Sequence, residues 1–170
     1  MSRARGVRAK TILASAVVLA VILSSLLVVG SSAGTGSREC LGRKATILGT
    51  SGTDDIYGTN GSDVIVGGRG GDQIHGLGGD DSICGEGGRD ILTGGSGDDE
   101  LSGGHGGDAI FGGSGDDFLT GGDQSDQLHG GSGDDYMEGG FVTNYRNDSC
   151  DGGDGIDTAR SDCDTVSNVP

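Results

Sequence analysis

A nine-residue period runs through the middle of the chain, without interruption, from Gly49 to Glu138. Position one of the period is Gly in all ten units, and position four is Gly in every unit but one, where Gln124 stands. So short and regular a period predicts a repetitive stack in which each unit contacts only its neighbours. A disordered Gly-rich and Asp-rich linker would share this composition but not the phase.

Two other positions of the unit carry the chemistry. Position six is always Asp, and position eight is always aliphatic. Gly allows tight turns, and the three residues that end each unit extend with the middle one pointing to one side. We therefore predict that two units form one turn of a coil, with two sheets and with position eight as the whole interior. The interior residues are Ile56, Ile74, Leu92, Ile110 and Leu128 on one sheet and Ile65, Ile83, Leu101, Leu119 and Met137 on the other.

The Asp residues at position six form two rows along this coil. They are Asp54, Asp63, Asp72, Asp81, Asp90, Asp99, Asp108, Asp117, Asp126 and Asp135. Identical positions on successive turns lie about 4.8 Å apart, so each row should repel itself unless cations lie between its carboxylates. Hard carboxylate and carbonyl oxygens in a flexible arrangement suit calcium. The sequence therefore predicts that these ten Asp residues bind several calcium ions.

Two units match a known signature in full: 94–102, Gly-Gly-Ser-Gly-Asp-Asp-Glu-Leu-Ser, and 112–120, Gly-Gly-Ser-Gly-Asp-Asp-Phe-Leu-Thr. On these residues the sequence resembles the hemolysin-type calcium-binding repeat, also called RTX. The resemblance implies an all-β, right-handed parallel β-roll with calcium held between turns by position-six carboxylates and loop carbonyls. We expect looser turns where the second Gly is replaced, at Thr50, Thr59, Leu77 and Glu86, and a less secure loop at Gln124.

The two ends of the chain flank ten repeats that occupy residues 49–138. Residues 1–33 have the features of an export signal, with basic residues before an apolar run and the small residues Ser31, Ser32 and Ala33 after it. The prediction is cleavage after Ala33 and a secreted, extracellular protein without stable membrane insertion; an uncleaved membrane anchor is the alternative. Residues 34–48 form an N-terminal cap.

Residues 139–170 continue the pattern in degenerate form and are predicted to close the stack. Asp148 and Asp157 fall at position six of these degenerate units. The sequence leaves open whether they bind calcium or only shape the cap.

Four cysteines on an exported chain indicate two disulfides, although free thiols are the alternative. Three pairings are possible. Cys150 and Cys163 close a short loop, and the two ends of a long roll cannot meet. The predicted pairs are therefore Cys40 with Cys84 and Cys150 with Cys163.

Charge and motif content narrow the function. After residue 33 there are 26 acidic and seven basic residues, which excludes nucleic acid as a partner. His75 and His129 should lie about 14 Å apart, three turns along the coil, and so cannot share a metal ion. We therefore predict a non-enzymatic calcium-binding protein with no catalytic residues. The alternatives are a calcium-dependent adhesin with a cell-surface or polysaccharide partner and, less favoured, a relative of polysaccharide-modifying enzymes.

Overall fold

The computed structural model describes residues 39–140 and 147–169, and these residues are all-β. The predicted export signal and residues 34–38 of the predicted cap lie outside the described residues. Within the described ranges, no helix is long and apolar enough to span a membrane. The strands are β1 Glu39–Cys40, β2 Arg43–Lys44, β3 Ile47–Leu48, β4 Asp55–Tyr57, β5 Val64–Arg69, β6 Gln73–Gly78, β7 Ser82–Gly87, β8 Ile91–Ser96, β9 Glu100–His105, β10 Ala109–Ser114, β11 Phe118–Asp123, β12 Gln127–Ser132, β13 Tyr136–Glu138, β14 Ser149–Asp154, β15 Thr158–Ala159 and β16 Thr165–Ser167.

Alternate strands form two parallel sheets, which confirms that two units make one turn. Sheet 1 has the order β4, β6, β8, β10, β12, β14, β16, and sheet 2 has the order β3, β5, β7, β9, β11, β13, β15. The register joins residues 18 apart, as in Ile74 beside Leu92 and Leu92 beside Ile110. The result is a β-solenoid of about six turns, the predicted fold.

The core is the predicted file of position-eight side chains. All ten are buried, with exposed fractions of 8% at Ile56 and at most 1% at the others. Cys150 and Cys163 extend the file past the strict repeats, and Ile47, Ala159 and Val169 pack against it. The degenerate residues after Glu138 therefore belong to the same solenoid.

Glycine serves two different purposes in the unit, which corrects the single reason expected from the sequence. In the described loops from residue 67 onward, positions two and four have positive φ, for example 121° at Gly95 and 123° at Gly97. Among the described residues, no position-one Gly has a positive φ. A Cβ on Gly76, at position one, would instead overlap the Asp81 carboxylate and lie 2.6 Å from the Gly94 carbonyl oxygen. Position one is therefore Gly because the space is filled by an aspartate oxygen and by the next turn.

The N-terminal hairpin of β1 and β2 covers one end of sheet 2. Its Cys40 is fully buried and forms a disulfide with Cys84, with a Cα to Cα distance of 5.6 Å. The Arg43 guanidinium donates a hydrogen bond of 2.7 Å to Ser82 Oγ. Val66 and Ser82, which would otherwise face solvent, are fully buried. The hairpin thus lies along the outer face, as the pairing of Cys40 with Cys84 required.

The C-terminal segment ends both sheets. Cys150 and Cys163 form the second expected disulfide, with Cα atoms 5.9 Å apart. On sheet 1, β14 pairs with β12 and β16 pairs with β14. On sheet 2, β15 pairs with β13. The described C-terminal residues therefore add strands to the stack and do not form a separate unit.

Candidate metal centre

The loops between the sheets form two rows, one along each edge of the solenoid. Edge 1 consists of the loops at positions one to six of alternate units: 49–54, 67–72, 85–90, 103–108 and 121–126. Edge 2 consists of loops 58–63, 76–81, 94–99, 112–117 and 130–135. Every position-six Asp ends one of these loops, where the chain enters a strand. The ten Asp residues predicted as ligands therefore lie in two rows of five.

One carboxylate oxygen of each later Asp is fixed by the turn before it. The backbone N–H of Asp72 donates to Asp90 Oδ1 at 2.8 Å, and that of Asp99 donates to Asp117 Oδ1 at 2.9 Å. The same contact recurs along both edges and reaches Asp148 and Asp157. Asp148 and Asp157 are thus placed like the Asp residues of the strict repeats.

The second carboxylate oxygen points into its own loop. Within the described part of the chain, this Oδ2 atom is buried and has no hydrogen-bond partner at Asp72, Asp81, Asp90, Asp99, Asp108, Asp117, Asp135 and Asp157. A buried carboxylate oxygen without a partner is costly, since it loses water and gains nothing in exchange. The arrangement calls for a cation beside these oxygens.

Burial also raises the pKa values of these carboxyls. Burial, augmented by the neighbouring carboxylates, raises the pKa of Asp117 to about 7 despite the opposing backbone hydrogen bond from Asp99. The same causes raise the pKa to about 6 at Asp90, Asp99 and Asp135. A bound cation would oppose this effect because it favours the charged form.

The loops provide the donors that calcium prefers, and they provide few others. Across residues 39–140 and 147–169, no three side chains of His, Cys, Asp or Glu converge as ligands for one ion. A cation in these loops would therefore be held by carboxylate oxygens together with backbone carbonyls, such as that of Gly94 beside Asp81. Calcium accepts such mixed oxygen sets with flexible geometry, whereas zinc takes His and Cys ligands in fixed geometry. The residues present fit calcium.

A family model for the RTX calcium-binding nonapeptide repeat (4 copies) matches residues 48–83, 85–119 and 111–145. Together these matches cover more than half of the chain. This protein belongs to the RTX calcium-binding repeat family. No curated protein matches the chain.

The two edges of this RTX roll are chemically different. On edge 2, position five is also Asp at Asp80, Asp98, Asp116 and Asp134. These residues form a second row of hydrogen bonds in the opposite direction. The N–H of Asp116 donates to Asp98 Oδ1 at 2.9 Å, and that of Asp134 donates to Asp116 Oδ1 at 2.8 Å. Edge 2 thus carries two parallel rows of carboxylates, one buried and one exposed.

The edge 1 loops have no carboxylate at position five, and they contain basic groups that edge 2 lacks. Arg89 occupies position five, and its charge lowers the pKa of Asp108 against the larger upward effect of burial. At position three, His105 Nδ1 lies 2.5 Å from Asp123 Oδ2. An open cavity of about 500 Å³ follows these loops, lined by Gly88, Arg89, His105, Gly106, Gly107, Gln124 and Ser125.

Sequence reasoning missed two groups of residues in these loops. The position-five Asp residues were hidden because they occur only in alternate units, so a nine-residue consensus averages them with Gly, Arg and Ser. Thr50 and Thr59, expected only to loosen their turns, hydrogen bond to Asp54 and Asp63. An 18-residue alignment of the units would have revealed the position-five row.

The histidines do not assemble into a site. His75 stacks on Tyr57 with ring centroids 4.9 Å apart, and His129 stacks on Phe111 at 5.1 Å. The register places Thr93 and Phe111 between His75 and His129 along sheet 1. The separation expected from the sequence is therefore present.

Proposed function

We propose that this protein is a secreted calcium-binding module whose loops bind several calcium ions, and that these ions drive folding of the β-roll. The observation that carries the proposal is the row of buried, unpartnered Oδ2 atoms on both edges, among the residues that the structure describes. Calcium would complete their coordination and screen neighbouring carboxylates from each other. Its role is to hold successive turns together.

The proposed ligands are loop carbonyls and the position-six Asp residues of the loops that follow loop 58–63. Asp90, Asp99, Asp108 and Asp117 lie at the centre of the rows, where each has a turn on either side. Asp148 and Asp157 are included because they accept the same backbone hydrogen bond as the others. Their geometry favours ligation over a role limited to shaping the cap.

Secretion is part of the proposal and rests on two features. Residues 1–33 have the charge and hydropathy pattern of an export signal. The described residues contain two disulfides, which persist in oxidising compartments outside the cytosol. Extracellular calcium modules bind at about 10⁻⁴ to 10⁻³ M, so we expect filling at extracellular but not cytosolic calcium concentrations.

Calcium titration followed by circular dichroism tests the folding role. We expect the chelated protein to lack most of its β signal and to regain it steeply as calcium is added, because neighbouring sites share turns. Magnesium at the same concentration is the control, since its smaller ion demands octahedral geometry. A chelated protein with the full β signal would contradict the proposal.

A second candidate function is a polysaccharide-binding face on sheet 1. The stacked pairs Tyr57 with His75 and Phe111 with His129 lie on strands of sheet 1, and Gln127 is on the same strand as His129. Rings and neutral amides of this kind suit a ligand rich in hydroxyls. A glycan-binding assay tests it: replacing Tyr57 and Phe111 by Ser should abolish retention in calcium, whereas replacing Thr93 by Ser should not.

A further inference from the structure

The first two loops of the roll differ from the later described loops in backbone conformation. The residue at position two has a positive φ in the later described loops, even where it is Leu77 at 81° or Glu86 at 72°. At Thr50 and Thr59, also at position two, φ is not positive. The backbone amide therefore points in another direction in loops 49–54 and 58–63.

This change redirects the Thr amide onto the aspartate of the same loop. The N–H of Thr50 donates to Asp54 Oδ2 at 2.6 Å, and the Thr50 hydroxyl donates to the same oxygen at 2.9 Å. In loop 58–63, the Thr59 amide and hydroxyl donate to Asp63 Oδ2 at 2.7 and 2.9 Å. The oxygen that lacks a partner in later loops thus accepts two hydrogen bonds here.

Each Thr hydroxyl also accepts a hydrogen bond from a backbone amide of its own loop. Thr50 Oγ1 accepts a hydrogen bond from the N–H of Gly52 at 3.2 Å, and Thr59 Oγ1 accepts one from the N–H of Gly61 at 3.1 Å. Carboxylates that accept two or more hydrogen bonds from the protein are stabilised in their charged form without a counter-ion. At Asp54 and Asp63, hydrogen bonds from Thr50 and Thr59 therefore take the place that a cation would have in the other loops.

We propose that the calcium array of this roll begins at Asp72 and Asp81, and that loops 49–54 and 58–63 form a metal-free end that stays folded without calcium. The inference rests on the proposed function, since it divides the predicted ligands into two classes. The Cys40 to Cys84 disulfide and the hairpin over Val66 stabilise the same end. At the opposite end, by contrast, Asp157 Oδ2 is buried and unpartnered within the described residues.

Calcium stoichiometry, measured by equilibrium dialysis on the purified protein, separates the two classes. We expect the double variant D54N/D63N to bind as many ions as the unsubstituted protein. The matched variant D90N/D99N should weaken binding at its loops about tenfold or more, because affinity depends on the number of charged ligands. Asn keeps the shape of Asp and can still accept the Thr hydrogen bonds.

The outcomes of this measurement are distinct. Equal losses in the two double variants would overturn the inference and leave the proposed function intact. An unsubstituted protein that binds no calcium would overturn both.

Hydrogen exchange in chelator provides a second test that does not depend on counting ions. The amides of Gly49 and Gly58, which donate to Val66 and His75, should exchange at least about tenfold more slowly than those of Gly97 and Gly115. The double variant T50V/T59V should lose this difference because it removes both hydroxyls. T93V/T120V is the control, with the same change at two strand positions. Uniform exchange along the unsubstituted chain, or equal behaviour of the two variants, would contradict the proposal.

Discussion

Edge 1 and edge 2 are built from the same unit, yet they carry different charge. The five loops of edge 2 contain nine Asp and no basic residue, whereas those of edge 1 contain seven acidic residues together with Arg69 and Arg89. Both edges bury their position-six carboxylates to similar extents, with 2% exposed at Asp108 and at Asp117. The difference lies in what surrounds those carboxylates.

This difference shows that, within one fold, the surrounding charges determine how strongly a bound cation stabilises each edge. On edge 2, burial and the charges of neighbouring carboxylates, including the exposed Asp98, raise the pKa of Asp117 to about 7. On edge 1, Arg89 partly neutralises the field at Asp108. We therefore expect edge 2 to gain more from calcium and to suffer more without it.

The largest expected effect comes from removing one central carboxylate on each edge. Asp117 and Asp108 are matched, since each accepts a backbone hydrogen bond of 2.9 Å from the preceding turn, from Asp99 and from Asp90 respectively. D117N should raise the calcium concentration at half-folding by about tenfold, and D108N should raise it less. Calcium titration by circular dichroism measures both. Equal shifts would show that the two edges are equivalent.

Acid should partly replace calcium, and Asp117 on edge 2 should take up its proton at a higher pH than Asp90 on edge 1. A carboxyl whose pKa is raised in the folded chain stabilises the fold below its ordinary pKa of 3.8 and loses that contribution as pH rises through the folded value, about 7 for Asp117 and about 6 for Asp90. Chelated protein should therefore be most stable near pH 4 and lose stability up to about pH 7. Thermal unfolding in chelator across this range is the measurement. A melting temperature that increases with pH would contradict it.

Removing the positive charge from edge 1 should make it resemble edge 2. R89S takes away the cation that faces Asp108, so we expect calcium to bind severalfold more tightly at low salt, and the gain to shrink as salt is added. R69S, at position three, is the control with the same change in net charge. If the two variants gain equally, the effect belongs to total charge and not to the site.

The smallest effect concerns backbone strain on edge 1. Gln124 occupies position four with φ of 77°, where the other described loops with positive φ at this position have Gly. Q124G should stabilise the calcium-loaded protein by about 1 kcal/mol, because Gly adopts this conformation without steric cost. The same change at Gln127, on a strand, should destabilise it. Chemical denaturation of both variants measures the difference, and two changes of the same sign would contradict the assignment.

The sequence alone predicted the parts of the fold that depend on period and burial. Ile74, Leu92 and Ile110 could be assigned to one sheet because an alternation of units fixes which residues share a face. The pairing of Cys40 with Cys84 followed because the ends of the roll are too far apart for the other pairings. Both conclusions need only the spacing of residues and the length of the chain.

The features that could not be predicted depend on contacts between turns. The reason for Gly at position one is the approach of Asp81 and Gly94 to Gly76, which exists only once the turns are stacked. The closure of Asp54 by Thr50 depends on a φ angle that the residue type does not determine. Thr was expected to loosen the turn, and in the structure it supplies two donors to the carboxylate.

The Oδ1 hydrogen bonds have a direction along the solenoid. Each position-six amide is satisfied only when the aspartate of the following turn arrives, as the amide of Asp108 is by Asp126. In a partly formed roll, the position-six amide of the last turn therefore has no acceptor. It can serve as a template for the next turn, as the end of a growing filament does for the next subunit. Growth from the N-terminal end would follow the order in which the chain is synthesised. After the strict repeats, Asp164 Oδ2 accepts from the Asp148 amide and Asp162 Oδ1 accepts from the Gly139 amide, so these two side chains occupy amides that a further regular turn would use.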